Sequence, residues 1–191
     1  NMSYRLCPEV TADEQLHDIA KALQWVKANL DNYPCDKENI CLTGDSAGGM
    51  LAGFTALISS SEELRDAYGT VDHGLSFDAV CLTSPMLYMN PKHISGVYTR
   101  IAIGKDFRKK PWGEFVNLDD LLKKGKMPPT ILVTSTGDTL ARKHTIMGAE
   151  ELKKQHDIDI DKRKIVLESP IKCYGTYTLD VKLHPDVLGK L

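Results

Sequence analysis

Ile40-Cys41-Leu42-Thr43-Gly44-Asp45-Ser46-Ala47-Gly48-Gly49-Met50-Leu51-Ala52 runs from a short apolar stretch, through a serine set among glycines, into a second apolar stretch. Residues 40–43 read as a buried parallel strand, because such strands carry near-continuous apolar runs. Met50 to Ile58 is apolar over more than two turns and rich in small residues. A helix that is hydrophobic all round is a buried one. Between them, Gly44-Asp45-Ser46-Ala47-Gly48 has the form of a strand–turn–helix elbow, which lifts a serine hydroxyl clear of a sheet on a strained backbone. A serine is a poor nucleophile until a base takes its proton, so Ser46 needs partners elsewhere in the chain. Gly44 and Gly48 would remove side chains that collide in so sharp a turn. The Ala47 N–H, at the start of the helix, would point at a developing oxyanion.

The flanking sequence supplies the sheet. Met2-Ser3-Tyr4-Arg5-Leu6 reads as a short strand closed by Pro8. Thr11 and Glu14 form a capping box, and apolar residues at Leu16, Ile19, Ala20, Leu23, Val26 and Leu30 predict an amphipathic helix over 12–30. Phe77 to Thr83 predicts a strand stopped at Ser84-Pro85. Residues 86–127 have weak periodicity and read as a lid or insertion, with Met86, Leu87, Tyr88, Met89, Trp112 and Phe115 open to either core packing or pocket lining. Thr130 to Thr134 predicts a third strand ending before Gly137-Asp138, followed by a helix over about 140–154. Ile165-Val166-Leu167 is a candidate fourth parallel strand. Strands alternating with helices imply an α/β class: a mostly parallel sheet with helices on both faces, as a single domain over 1–191. Function in such sheets gathers at the carboxyl ends of the strands, where Ser46 and Asp138 both fall.

The 191 residues are 42% hydrophobic and 26% charged, with formal net charge −2. That balance gives no global attraction to nucleic acid or anionic membrane. The short Lys/Arg runs have acidic neighbours and read as solvated surface. No apolar stretch approaches the ~20 residues of a membrane span, and no signal peptide is recognisable. The five cysteines are widely spaced without a CxxC, which argues against a zinc site or a disulfide framework. Cys41 and Cys81 lie in apolar runs and are expected to be buried, and a reducing cytoplasm suits them best.

Three segments carry a family resemblance. Gly44-Asp45-Ser46-Ala47-Gly48-Gly49 resembles the nucleophile motif of the hormone-sensitive-lipase-like carboxylesterases, within the α/β-hydrolases. Tyr4-Arg5-Leu6-Cys7-Pro8-Glu9 is similar to their upstream Tyr-Arg-Leu-Ala-Pro-Glu segment, and Gly137-Asp138-Thr139-Leu140 to the segment carrying their acid. The likeness covers residue 2 to about residue 155. It implies an α/β-hydrolase fold and hydrolysis of short-chain carboxylic esters, with a small ester as partner, no cofactor and no metal; a homodimer is compatible. The family also carries an earlier His-Gly-Gly loop and further early strands. Their absence here reads as an N-terminal truncation, with weak or absent activity expected.

Ser46 then Asp138 is the chain order of this fold. The carboxylate of Asp138 would orient a histidine, or cap the following helix, or both. Three histidines follow it. His144 reads as a surface residue, and His156 as a cation near a helix C-terminus. His184, in Leu183-His184-Pro185-Asp186, remains the candidate base, although matching to the family places the base near Tyr177 and residues 161–178 match nothing expected of it. Three functions stay open: a serine esterase using Ser46, Asp138 and His184; a non-catalytic binding protein with an incomplete triad, as in the gibberellin receptors that resemble this fold; and a prolyl-oligopeptidase-like peptidase, which the Tyr4–Glu9 segment disfavours.

Overall fold

The computed structural model describes residues 1–90, 96–156, 165–166, 180–184 and 187–190. Helix α1 spans Ala12–Asn29. Strand β1 (Cys41–Asp45) leads straight into α2 (Ala47–Ser59), and α3 (Glu62–Tyr68) follows. Then come β2 (Ala79–Thr83), α4 (Gly96–Ile103), α5 (Leu118–Leu122), β3 (Thr130–Val133) and α6 (Arg142–His156). The short strands β4 (Ile165–Val166), β5 (Asp180–His184) and β6 (Val187–Lys190) complete the chain. The sequence reads as one domain, whereas the structure divides it into two compact units, Asn1–Gln155 and His156–Leu191.

The first unit is built on a parallel sheet of order β1-β2-β3. Leu42 pairs with Val80, and Leu82 with Leu132, so these residues share one face. Leu42, Val80 and Leu82 are buried there, together with Met50, Leu51, Phe54, Leu57 and Ile58 of α2. Fully burying each such side chain is worth about 1.5–3 kcal/mol, which is why an almost wholly apolar α2 settles on this sheet. Helix α1 adds Leu16, Ile19 and Leu23. Its start is fixed by the capping box, in which the Thr11 N–H donates to Glu14 Oε2 at 2.9 Å.

The opposite face carries Cys41, Thr43, Ile131 and Val133, all exposed, with Cys81 half-buried. The expected burial of Cys41 is therefore corrected: strand alternation puts it on the open face, across from Leu42 on the covered one.

Two other expectations change. Met2 to Leu6 forms no strand. Arg5 is tied instead to α1, its guanidinium to Asp18 at 2.8 Å and its carbonyl accepting from Gln15 Nε2 at 2.8 Å. Ile165-Val166 pairs antiparallel with β5, in the second unit's β4-β5-β6 sheet. It adds no fourth parallel strand, and Leu167 lies outside the described residues.

Within 86–127, Leu87, Tyr88, Met89 and Trp112 are core residues, while Met86 and Phe115 pack partly buried against them. Trp112 stacks on Tyr68 at 5.7 Å. Its indole N–H donates to Asp13 at 3.1 Å.

Candidate active site

Ser46 sits between the last residue of β1 and the first of α2 with φ 52° and ψ −115°. A non-glycine residue at positive φ is uncommon and strained. Two backbone bonds hold it there: the Ser46 N–H donates to the Thr83 carbonyl at 2.9 Å, and the Ser46 carbonyl accepts from Met50 N–H at 3.0 Å. The side chain is exposed. The Ala47 N–H belongs to the first turn of α2, whose N–H groups have no partner within the helix.

The elbow glycines divide their duties differently from expectation. A Cβ on Gly44 would lie 2.2 Å from the Gly48 carbonyl oxygen, whereas one on Gly48 would meet nothing within 4 Å. Only Gly44 is required by sterics. Gly49 is the second tight position, its Cβ direction 3.1 Å from both Pro85 and the Gly44 carbonyl. The end of β1, the first turn of α2 and the residue pair after β2 thus touch one another.

Asp138 lies beyond β3, at the same end of the sheet. Its Oδ1 accepts from the N–H groups of Leu140 (3.0 Å) and Ala141 (2.8 Å), and its Oδ2 from Thr134 Oγ1 (3.3 Å). The carboxyl is held below its ordinary range, first by the neighbouring Ser84 hydroxyl and then by the Ala141 N–H. Asp138 is therefore an ionised carboxylate near neutral pH, and it caps the next turn while facing the strand ends. In the sequence, Ser84 reads only as the stop of the second strand and Thr134 only as the last residue of the third. A serine before proline at a strand's carboxyl end was the one available signal.

The histidines are distributed elsewhere. His144 is fully buried on α6, its Nδ1 accepting from the Tyr88 N–H at 3.1 Å. Core packing, with the ring 5.9 Å from that of Tyr88, corrects its expected surface position. His156 ends α6, and its side chain lies outside the described residues. His184 ends β5 in the second unit, and its side chain is likewise outside them; so is Tyr177.

A groove of about 610 Å³ runs along β1, lined by Met2, Tyr4, Ile19, Gly44, Gly48 and Leu51 among others. Its size is that of a small-molecule site. Among the described residues no group of three or more His, Cys, Asp or Glu side chains could hold a metal ion. No described helix is long and apolar enough to cross a membrane.

A family model described as the alpha/beta hydrolase fold matches residues 1–161. The chain belongs to the α/β-hydrolase family. Esterase B from Lactobacillus rhamnosis, solved with a tributyrin phosphonate inhibitor, superposes with TM-score 0.67 at 27% identity, over 82% of this chain and 49% of that one. The "Probable carboxylic ester hydrolase LipM" of Mycobacterium tuberculosis is 34% identical over 71 residues, 37% of this chain and 16% of that protein. This α/β-hydrolase chain thus spans about half the length of the solved esterase it matches.

A second family model, ribosomal protein L9, C-terminal domain, matches residues 145–191. The large ribosomal subunit protein bL9 of Clostridioides difficile is 51% identical over 43 residues, 22% of this chain and 29% of that protein. Its Carboxydothermus hydrogenoformans counterpart is 56% identical over the same length, 22% of this chain and 28% of that protein. The two matches overlap over 145–161, mostly on α6. That similarity accounts for residues 161–178 matching no esterase segment.

Proposed function

We propose that the first unit carries the nucleophile and acid of a serine hydrolase acting on short-chain carboxylic esters. The observation that carries this reading is the backbone of Ser46, a strained non-glycine residue between a parallel strand and a buried helix, the setting of a nucleophile elbow. In this reading the Ser46 Oγ attacks the ester carbonyl carbon as a histidine takes its proton. The oxyanion is met by the Ala47 N–H, the alcohol leaves on regaining a proton, and water then cleaves the acyl-serine by the same steps. Asp138, already ionised, orients the imidazole and stabilises its charged form. The groove beside Gly44 and Gly48 takes an apolar arm of the ester.

The imidazole is assigned by chain order alone, to His184. The similarity of its segment to the L9 domain supports a second reading, in which the fold binds a ligand with an incomplete triad. Turnover of p-nitrophenyl butyrate by the wild type, Ser46→Ala, Asp138→Asn and His184→Ala separates the two. The esterase reading predicts slow turnover by the wild type and loss to background in all three variants. Turnover unchanged in His184→Ala removes that residue from the site. No turnover by any form, with butyrate esters still bound, favours the second reading.

A further inference from the structure

Asp45 is the last residue of β1 and directly precedes Ser46. It lines the groove along that strand, together with Met2, Tyr4, Ile19 and Leu51. Among the described residues lining the groove, it carries the one charged side chain. It is exposed, and no hydrogen bond or ion pair ties its carboxylate to the described residues. Arg5, which follows Tyr4, is committed to Asp18 of α1, its guanidinium 2.8 Å from that carboxylate. An uncompensated charge on a cleft with apolar walls enriches ligands of opposite sign and depletes those of like sign. Tyr4, half-buried, lines the same groove, and aromatic rings attract quaternary ammonium groups.

We propose that Asp45 is a specificity-determining residue of this groove, favouring esters whose arm carries a cationic group, such as a quaternary ammonium, over esters whose arm carries a carboxylate. The proposal rests on the reading of the groove as the place of the ester's arm. A neutral arm is held by the apolar lining alone. A cation on the arm adds attraction to the Asp45 carboxylate, and an anion adds repulsion. The carboxylate is open to solvent, so salt screens both effects. Exposed charge pairs of this kind change an affinity about two- to fivefold.

The test compares p-nitrophenyl esters of matched length in the intact chain: the neutral hexanoate, the cationic 5-(trimethylammonio)pentanoate and the anionic hydrogen adipate. Relative to the neutral ester, kcat/KM in the wild type should be about two- to fivefold higher for the cation and lower by a similar factor for the anion, mostly through KM. Asp45→Asn, matched in size, should bring both ratios near unity. Asp45→Lys should reverse their order, and added salt should shrink them in the wild type. Ratios that survive Asp45→Asn overturn the proposal, whatever the absolute rates. Binding of butyltrimethylammonium and of pentanoate, followed through the Thr43 and Gly44 amide shifts, makes the same comparison without turnover. A cation preference lost in Asp45→Asn, in a chain that cleaves none of the esters, supports charge selection and defeats the esterase reading. Equal binding of the two ions overturns charge selection, and binding of neither, without turnover, overturns both.

Discussion

Helix α2 has a serine at each end, and the two could hardly be more different. Ser46, before its first residue, is exposed on a strained backbone, and no histidine hydrogen bond to it is seen among the described residues. Ser59, its last residue, is half-buried and lies 2.6 Å from His73 Nε2. By proximity alone Ser59 looks the better nucleophile. Hydrogen-bond direction says otherwise. The Leu75 N–H donates to His73 Nδ1 at 3.1 Å, so Nε2 carries the ring's proton and donates to Ser59. The Ser59 hydroxyl in turn donates to the Thr55 carbonyl at 2.6 Å. A histidine that gives a proton cannot take one, so this pair is a structural clamp. It ties the end of α2 to the loop before β2. A serine–histidine contact signals catalysis only when the serine is the donor and its backbone presents it to solvent.

Substitutions at both ends of the helix test the contrast. The largest effect is expected at Gly44→Ala, where the new Cβ meets main chain and the elbow must open. Chemical denaturation should show a loss of about 3 kcal/mol or failure to fold, in the upper range for overpacking. Ser59→Ala should remove the clamp at a cost of about 1–2 kcal/mol, because it leaves the buried His73 donor without its acceptor. It should leave the reactivity of Ser46 unaltered, and a fall in Ser46 labelling would mean that the two ends are coupled.

Acidification should act through the same histidine. Burial lowers the pKa of His73 from 6.5, and Arg65 lowers it further, against Asp72, which raises it. In the window between that depressed value and 6.5, the unfolded chain binds more protons than the folded one. The contribution is therefore complete above pH 6.5 and lost as pH falls through the folded pKa. Melting temperature against pH should show this loss in the wild type and a smaller one in His73→Gln. The smallest effect is expected at Gly48→Ala, which adds a methyl in open space within a helix. Stability should hold within about 0.5 kcal/mol or rise slightly.

Local pattern carried most of the first unit. The apolar run into Gly44, the capping box at Thr11 and Glu14, and the strands around Val80 and Ile131 are each visible within a dozen residues, and each formed as its pattern predicts. What failed depends on partners distant in sequence. Met2 to Leu6 has strand-like residues, but Arg5 is claimed by Asp18 of α1. Cys41 sits in an apolar run, yet one face of its sheet is open. His144 lies in a polar stretch, and the Tyr88 N–H draws it into the core. Gly48 looked sterically necessary because it mirrors Gly44 in the motif, although the helix carries its Cβ direction away from the turn. The positive φ of Ser84 is not legible locally, because its N–H is held by the Val133 carbonyl of a strand some fifty residues on. Beyond residue 155 the esterase pattern stopped applying, since that segment is similar to a different family.

Whether Ser46 is an activated nucleophile is read out by fluorophosphonate labelling, with the adduct mapped by mass spectrometry. A single adduct on Ser46 is expected, absent from Ser46→Ala and undiminished in Ser59→Ala. A folded chain that takes up no label, or that carries it on Ser59, would mean that Ser46 is not an activated nucleophile.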